Sequence, residues 1–136
     1  MRVAILHFLP SGKAKTDDII KNLEKGAVSK GHQVTIYDGI KDASNVKLSF
    51  AEYIAVIVPV AGLFGGKLPP KVTEVLANAG MVSGKKGAAL VVKGGFSSAK
   101  TSRNLMRLME AEGIKLDYFE VVLDGDHATA VGKKLG

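Results

Sequence analysis

The chain of 136 residues contains no cysteine. That absence excludes disulfides, thiolate nucleophiles and thiolate metal sites, while leaving the redox compartment open. No apolar run is long and uninterrupted enough to cross a membrane. The first apolar run already begins after Arg2, which leaves no room for a signal peptide, so a cytoplasmic location is expected. No repeat or low-complexity segment is visible. There is no Arg-rich run and no alternation of aromatic and basic residues, so no specific nucleic-acid surface is expected. His7, His32 and His127 lie far apart and without ligand spacing, which argues against a metal site. Nothing places a histidine beside a candidate nucleophile, so a Ser/His/Asp arrangement is not indicated. Asp17 and Asp18 evoke the acidic pair of a response-regulator receiver. Such a domain needs an aspartate at the end of its third strand, where Val58-Pro59 stands instead.

What is present is an ordinary globular composition, 46% hydrophobic and 24% charged. The length supports one domain, residues 1–136, with a core of useful size. The net charge of +6, from 19 basic and 13 acidic residues, points to an acidic partner or ligand: nucleic acid, phosphate or an anionic protein. Along the sequence the basic residues look scattered, with Lys13/Lys15 and Lys85/Lys86 as local pairs. A solvated lysine surface is the plain reading.

Strand and helix patterns alternate throughout. Arg2–Phe8 is a continuous apolar run, as expected of a strand buried on both faces. His7 inside it reads as a hydrogen-bonded core residue. Thr16-Asp17-Asp18 predicts a helix start, with Thr16 as cap and the aspartates at the positive helix end. Ile19, Ile20, Leu23, Ala27 and Val28 would form its buried stripe, and Lys30-Gly31 its end. Strands are expected at Gln33–Tyr37, Tyr53–Val58, Gly87–Val92 and Tyr118–Leu123. Asp38–Phe50 reads as loop with one helical turn at most. Pro69 and Pro70 suit the first turn of a helix carrying Val72, Val75, Leu76 and Ala79. A further helix, about Ala99–Glu112, would bury Leu105, Leu108 and Met109. Asp126 would cap a last short helix, Ala128–Leu135. Five strands alternating with helices imply a parallel sheet covered on both faces by right-handed crossovers. The pattern leaves strand order 2-1-3-4-5 and the dinucleotide-binding half-fold both open.

Three loops follow strands and therefore emerge at one edge of such a sheet, where ligands bind. In Leu9–Thr16, Ser11 and Thr16 offer hydroxyls, Gly12 and the amides after it can cradle an anion, and Lys13 and Lys15 add charge. The match to a P-loop is poor, and Gly-x-Gly-x-x-Gly is absent. A surface turn at Gly12 with a cap at Thr16 explains the same residues equally well. Pro59–Pro70 holds Phe64 among Gly62, Gly65 and Gly66, an aromatic stacking face beside an approachable backbone. It is long for its place, as functional loops often are, although Phe64 could instead fold onto the core. In Lys93–Ser98, Gly94 and Gly95 permit close approach and Phe96 is a second ring. The plain alternative is a helix start capped by Ser97 or Ser98 with Phe96 packed inward. One loop suited to phosphate and two suited to a flat ring together describe a site for a phosphorylated aromatic cofactor.

The whole chain resembles the flavodoxin-like proteins. Ser11-Gly12-Lys13-Ala14-Lys15-Thr16 is similar to their phosphate loop, Thr/Ser-x-Thr-Gly-x-Thr, with Lys13 where a hydroxyl is usual and Ala14 where glycine is usual. Val58–Val72 resembles their Ser-Pro-Thr-Tyr/Arg-Phe-Gly…Pro-x-Lys stretch, with Pro59, Phe64, Gly65 and Lys71 in register and Val60 in place of the usual threonine. Lys93-Gly94-Gly95-Phe96 is similar to their third flavin loop. The last helix looks short for the family, and members are often acidic where this chain is basic. The resemblance implies an α/β flavodoxin-like fold: a five-stranded parallel sheet, order 2-1-3-4-5, with helices on both faces. It implies FMN as cofactor, bound by Ser11, Gly12, Lys13, Ala14, Lys15, Thr16, Pro59, Val60, Ala61, Gly62, Phe64, Gly65, Gly94, Gly95 and Phe96. It also implies that Lys67 and Lys93, if near the ring, would raise the flavin potential. The expected function is electron carriage or a small flavin-dependent oxidoreductase. The partner would be a redox protein or a small-molecule electron acceptor. Two alternatives stay open: a domain of the same fold that has lost FMN and serves as an interaction module, and a phosphate-ester enzyme using Lys13 and Lys15 as an anion clamp.

Overall fold

The computed structural model describes residues 1–60, 66–94 and 97–136. Five strands, β1 (Arg2–His7), β2 (Gln33–Asp38), β3 (Tyr53–Pro59), β4 (Lys86–Val92) and β5 (Lys115–Val122), form one sheet in the order β2-β1-β3-β4-β5. Every neighbouring pair is parallel. The helices are α1 (Ala14–Ser29), α2 (Lys71–Ala77), α3 (Ser98–Ala111) and α4 (Gly125–Gly132), and a single 3-10 turn, Ala43–Asn45, stands between β2 and β3. The central strands are apolar on both faces because both faces are covered. Ala4, Leu6, Val56, Val58 and Val91 point to the side of α2 and α3, where Val72, Leu76, Leu105 and Met109 meet them. Val3, Ile5, Ile57 and Leu90 point to the side of α1 and α4, against Ile19, Leu23, Ala128 and Val131. The connection from β1 leads to β2 on one side, and β3 starts the run to β4 and β5 on the other. The order therefore reverses between β1 and β3, which opens a crevice at their carboxyl ends.

Helices α1 and α4 touch backbone to backbone. A methyl group on Gly26 would strike the Thr129 carbonyl and come within 2.9 Å of the Gly132 Cα, and one on Gly132 would strike the Leu23 carbonyl. Two glycines thus set the crossing, and α4 closes the face of the sheet despite its eight residues.

Several local expectations are corrected. Helix α1 starts at Ala14 with Lys13 as its cap residue and no side-chain capping bond, so Thr16 is a buried first-turn residue rather than the cap. Gly12, at φ 76°, has already turned the chain, which lets the helix begin earlier, with its cap position at Lys13 instead of Thr16. Val28 is 52% exposed, because the inner face at that level is taken by Gly26 and Ala27. The last helix begins at Gly125, and Asp124, not Asp126, accepts the His127 amide at 2.8 Å. Asp126 lies in the first turn, where a carboxylate still suits the helix dipole. β5 starts at Lys115, ahead of the expected Tyr118: Lys115 and Leu116 already pair with Lys86 and Gly87, and the register then slips at Asp117 before Tyr118 meets Ala88. Gly31, at φ 87°, ends α1 as expected.

Candidate functional site

The loops after β1, β3 and β4 leave from three adjacent strands at the same sheet edge. In the first, Ser11, Gly12, Lys13, Ala14 and Lys15 are exposed and Thr16 is buried. No atom lies within 4 Å of where a Gly12 side chain would be, so a ligand can approach the backbone there. The donor set suits an anion: one free-facing serine, an α-helix amino end and two lysines. Strand β1 holds the root of this loop on both sides. The Phe8 amide donates to the Ile57 carbonyl at 3.0 Å, and the Gly39 amide to the His7 carbonyl at 2.8 Å.

His7 anchors the same root. It is almost wholly buried, and its Nδ1 accepts the Leu9 amide at 3.3 Å. Burial pushes its pKa down, opposed by the carboxylates of Asp38 and Asp17. The neutral ring with Nδ1 as acceptor is therefore the form the fold uses. A cleft of about 480 Å³ opens beside it, lined by Ser11, Gly12 and Thr16 on one side and Ile36 and Asp38 on the other. Of the phosphate-loop candidates, Ser11, Gly12 and Thr16 thus line this cleft between α1 and β2, and Lys13, Ala14 and Lys15 do not.

The second and third loops are joined through α3. Gly66, at φ 62°, sits so close to the first turn of α3 that a methyl group would come within 2.7 Å of the Lys100 carbonyl carbon and the Thr101 nitrogen. Its carbonyl accepts a bond from Asn104 Nδ2 at 2.9 Å. A methyl group on Gly94 would lie 3.7 Å from Val60 Cβ, so the two loops run side by side at their roots. Ser98 Oγ donates to the Gly94 carbonyl at 3.4 Å. Ser97 is the cap residue of α3 by position, without a side-chain capping bond. Pro59 and Val60 are half-buried at the end of β3. Of the remaining sequence-predicted site residues, Ala61, Gly62, Phe64, Gly65, Gly95 and Phe96 lie outside the described residues. Asn104 carried no sequence signal beyond being a polar residue on a helix.

The other candidate chemistry is accounted for structurally. His32 Nδ1 lies 3.1 Å from the Met1 amino group, and His127 Nδ1 accepts the Leu123 amide at 3.0 Å. Among the described residues no group of histidines and carboxylates could hold a metal ion. Lys85 Nζ donates to the Leu48 carbonyl at 3.0 Å, so it braces a loop. No described helix is long and apolar enough to cross a membrane.

No protein-family model matches the sequence, and no curated protein matches it. Solved structures do match in shape. A flavodoxin from the domain Archaea has a TM-score of 0.69 and 20% identity over 98% of this chain and 94% of its own. The two-electron reduced flavodoxin of Megasphaera elsdenii has a TM-score of 0.74 and 16% identity, covering 96% of each chain. The NAD(P)H:quinone oxidoreductase of Methanothermobacter marburgensis has a TM-score of 0.70 and 16% identity over 98% of both chains. The strand order, the two-sided helix cover and this near-complete overlap agree: the chain has the flavodoxin-like fold.

Proposed function

We propose that this chain binds FMN at the carboxyl edge of β1, β3 and β4 and serves as an electron carrier or small flavin-dependent oxidoreductase. The observation that carries the reading is that glycine-bearing loops follow three adjacent parallel strands, β1, β3 and β4, and that strand order reverses between the first two. The solved flavodoxins of similar shape support it at the level of fold.

The first loop fits a phosphate. Ser11 and Thr16, the amides from Gly12 onward and the amino end of α1 supply donors, while Lys13 and Lys15 supply charge. Pro59, Val60, Ala61, Gly62, Phe64 and Gly65 would line the ring from one side, with Phe64 as the stacking face. Gly94, Gly95 and Phe96 would line the other. At their roots Val60 lies near Gly94 and Gly66 is seated on α3, contacts that would set the spacing of two such walls. When bound, FMN supplies the electron transfer; the protein binds it, orients it and fixes the charge around it.

Titration of FMN fluorescence with the purified protein tests the reading. Quenching with a dissociation constant at or below micromolar is expected, weakened at least tenfold by Ser11→Asp, which sets a carboxylate against the phosphate. Unquenched FMN at saturating protein would overturn it. Carrier and reductase then separate by turnover: a carrier oxidises little NAD(P)H with flavin bound, whereas a reductase turns over with a quinone. A second reading, an interaction module of the same fold, is favoured by Lys13 and Ala14 in place of the usual hydroxyl and glycine. It predicts no FMN quenching together with retained partner binding.

A further inference from the structure

The chain's excess charge is concentrated beside the site. Residues 60–73 and 93–109, which comprise the second and third loops and most of α3, hold six basic residues and no acidic one. The other 13 basic residues are matched by the 13 acidic ones, so this region accounts for the whole net charge of +6. The fold gathers what the sequence scatters. Gly66 is pressed against Lys100, which brings its neighbour Lys67 to the first turn of α3. Lys100, Arg103 and Arg107 follow at spacings of three and four, on one exposed helix face. Lys93 is exposed at the end of β4. Glu74 beside Lys71, and Glu110 one turn beyond Arg107, mark the limits of the patch. Among the described residues the one ion pair is Arg2–Glu52, so none of these cations is neutralised internally.

We infer that Lys67, Lys93, Lys100, Arg103 and Arg107 form a docking face for an acidic protein, and that this protein is the chain's electron-transfer partner. The partner's redox role rests on the proposed FMN site; the docking rests on charge and position alone. All five side chains are exposed, so the cations present their charge to solvent, where a large partner can meet them together. The patch has no interleaved aromatic residue on α3 on which nucleic-acid bases could stack. Arginine is favoured at protein interfaces, and complementary charge steers encounter and sets register. Placement matters as much as sign: the patch borders the second and third loops, so an acidic protein held there lies next to the proposed flavin edge.

The test is an amide NMR titration of the flavin-free protein with an acidic [2Fe–2S] ferredoxin as probe, at low and high salt. Shifts and broadening are expected at Lys67, Lys93 and the exposed face of Lys100 to Arg107. Affinity should fall roughly tenfold or more in the triple variant Lys100→Glu/Arg103→Glu/Arg107→Glu, as loss of steering requires. It should also weaken as salt is raised and the Debye length shrinks. The neutral triple variant with glutamine at the same positions should fall between the two. Unchanged affinity in a folded triple variant, or shifts centred on Lys13/Lys15 or Lys133/Lys134, would overturn the inference. So would tighter binding of a DNA duplex than of the ferredoxin to the same face. FMN quenching, measured on the same samples, separates the two proposals: ferredoxin docking without FMN uptake keeps this face and removes the flavin, and FMN uptake without docking does the reverse.

Discussion

Gly66 and Gly12 form a matched pair for a quantitative test of how the second loop is held. Both have positive φ, 62° and 76°. At Gly12 an added methyl group meets nothing within 4 Å, whereas at Gly66 it meets the backbone of Lys100 and Thr101 within 2.7 Å. Gly12→Ala therefore carries only the left-handed backbone penalty, about 1 kcal/mol. Gly66→Ala carries the same penalty plus the cost of forcing two backbones apart, a further 1–3 kcal/mol by the usual scale of overpacking, for a total of about 2–4 kcal/mol. The rigid partner is what makes the difference, since α3 cannot yield as a flexible side chain would. Urea unfolding of both variants measures it, with an unchanged m-value as the check on two-state behaviour. If Gly66→Ala is no more destabilising than Gly12→Ala, the second loop is not seated on α3 and the reasoning fails. Asn104→Ala, which removes the bond to the Gly66 carbonyl, should cost about 1 kcal/mol.

Gly26→Ala sets helix propensity against packing. The gain of about 1 kcal/mol from alanine should be outweighed by the clash with Thr129 and Gly132 on α4, giving a net loss of roughly 1–3 kcal/mol; a more stable variant in thermal unfolding would refute the close crossing. Tyr53 is buried and its hydroxyl donates to Asp117 Oδ1 at 2.6 Å, with burial pushing the phenol pKa up. Tyr53→Phe should cost about 1–2 kcal/mol, since the freed carboxylate is exposed and rehydrates; a neutral result in urea would show that this bond contributes nothing. His7 has its pKa lowered in the fold from the usual 6.5, so the unfolded chain binds the proton more tightly. Its contribution to stability is complete above pH 6.5 and declines as pH falls below that value. Stability curves from pH 5 to 8 for the parent and His7→Gln should therefore converge toward acid pH; parallel curves would contradict the assignment.

Much of the fold was legible because each layer left its own period in the sequence. The apolar runs of β1, β3 and β4 marked strands covered on both faces. The stripe of α3 and the glycine after α1 marked helices and their ends. Strand order was not in the pattern, since any run buried on both sides fits several central positions; only the resemblance specified it. Caps were misread where two polar residues competed. Thr16 looked like a cap because aspartates follow it, but the turn at Gly12 had already aligned Ala14 for the helix. The close crossing of α1 and α4 was hidden because a glycine inside a helix looks like a weakness until its neighbour is known. The basic face was hidden for the same reason: Lys67 and Lys100 lie far apart in sequence, and only the seating of Gly66 on α3 brings them together. The site was read as three loops suited to phosphate and a flat ring, and their gathering at one sheet edge followed from the parallel topology.

The most direct test of the central proposal is to map FMN onto the backbone by amide chemical shifts during titration. A single site made by all three loops predicts coordinated shifts at Gly12 to Thr16, Val60, Gly66 and Gly94, saturating with one affinity. The amino edge of the sheet, at Gln33 and Lys86, should stay unmoved. Shifts confined to the cleft around Ser11, Ile36 and Asp38, or no saturable shifts at all, would contradict the proposal that these loops form an FMN site.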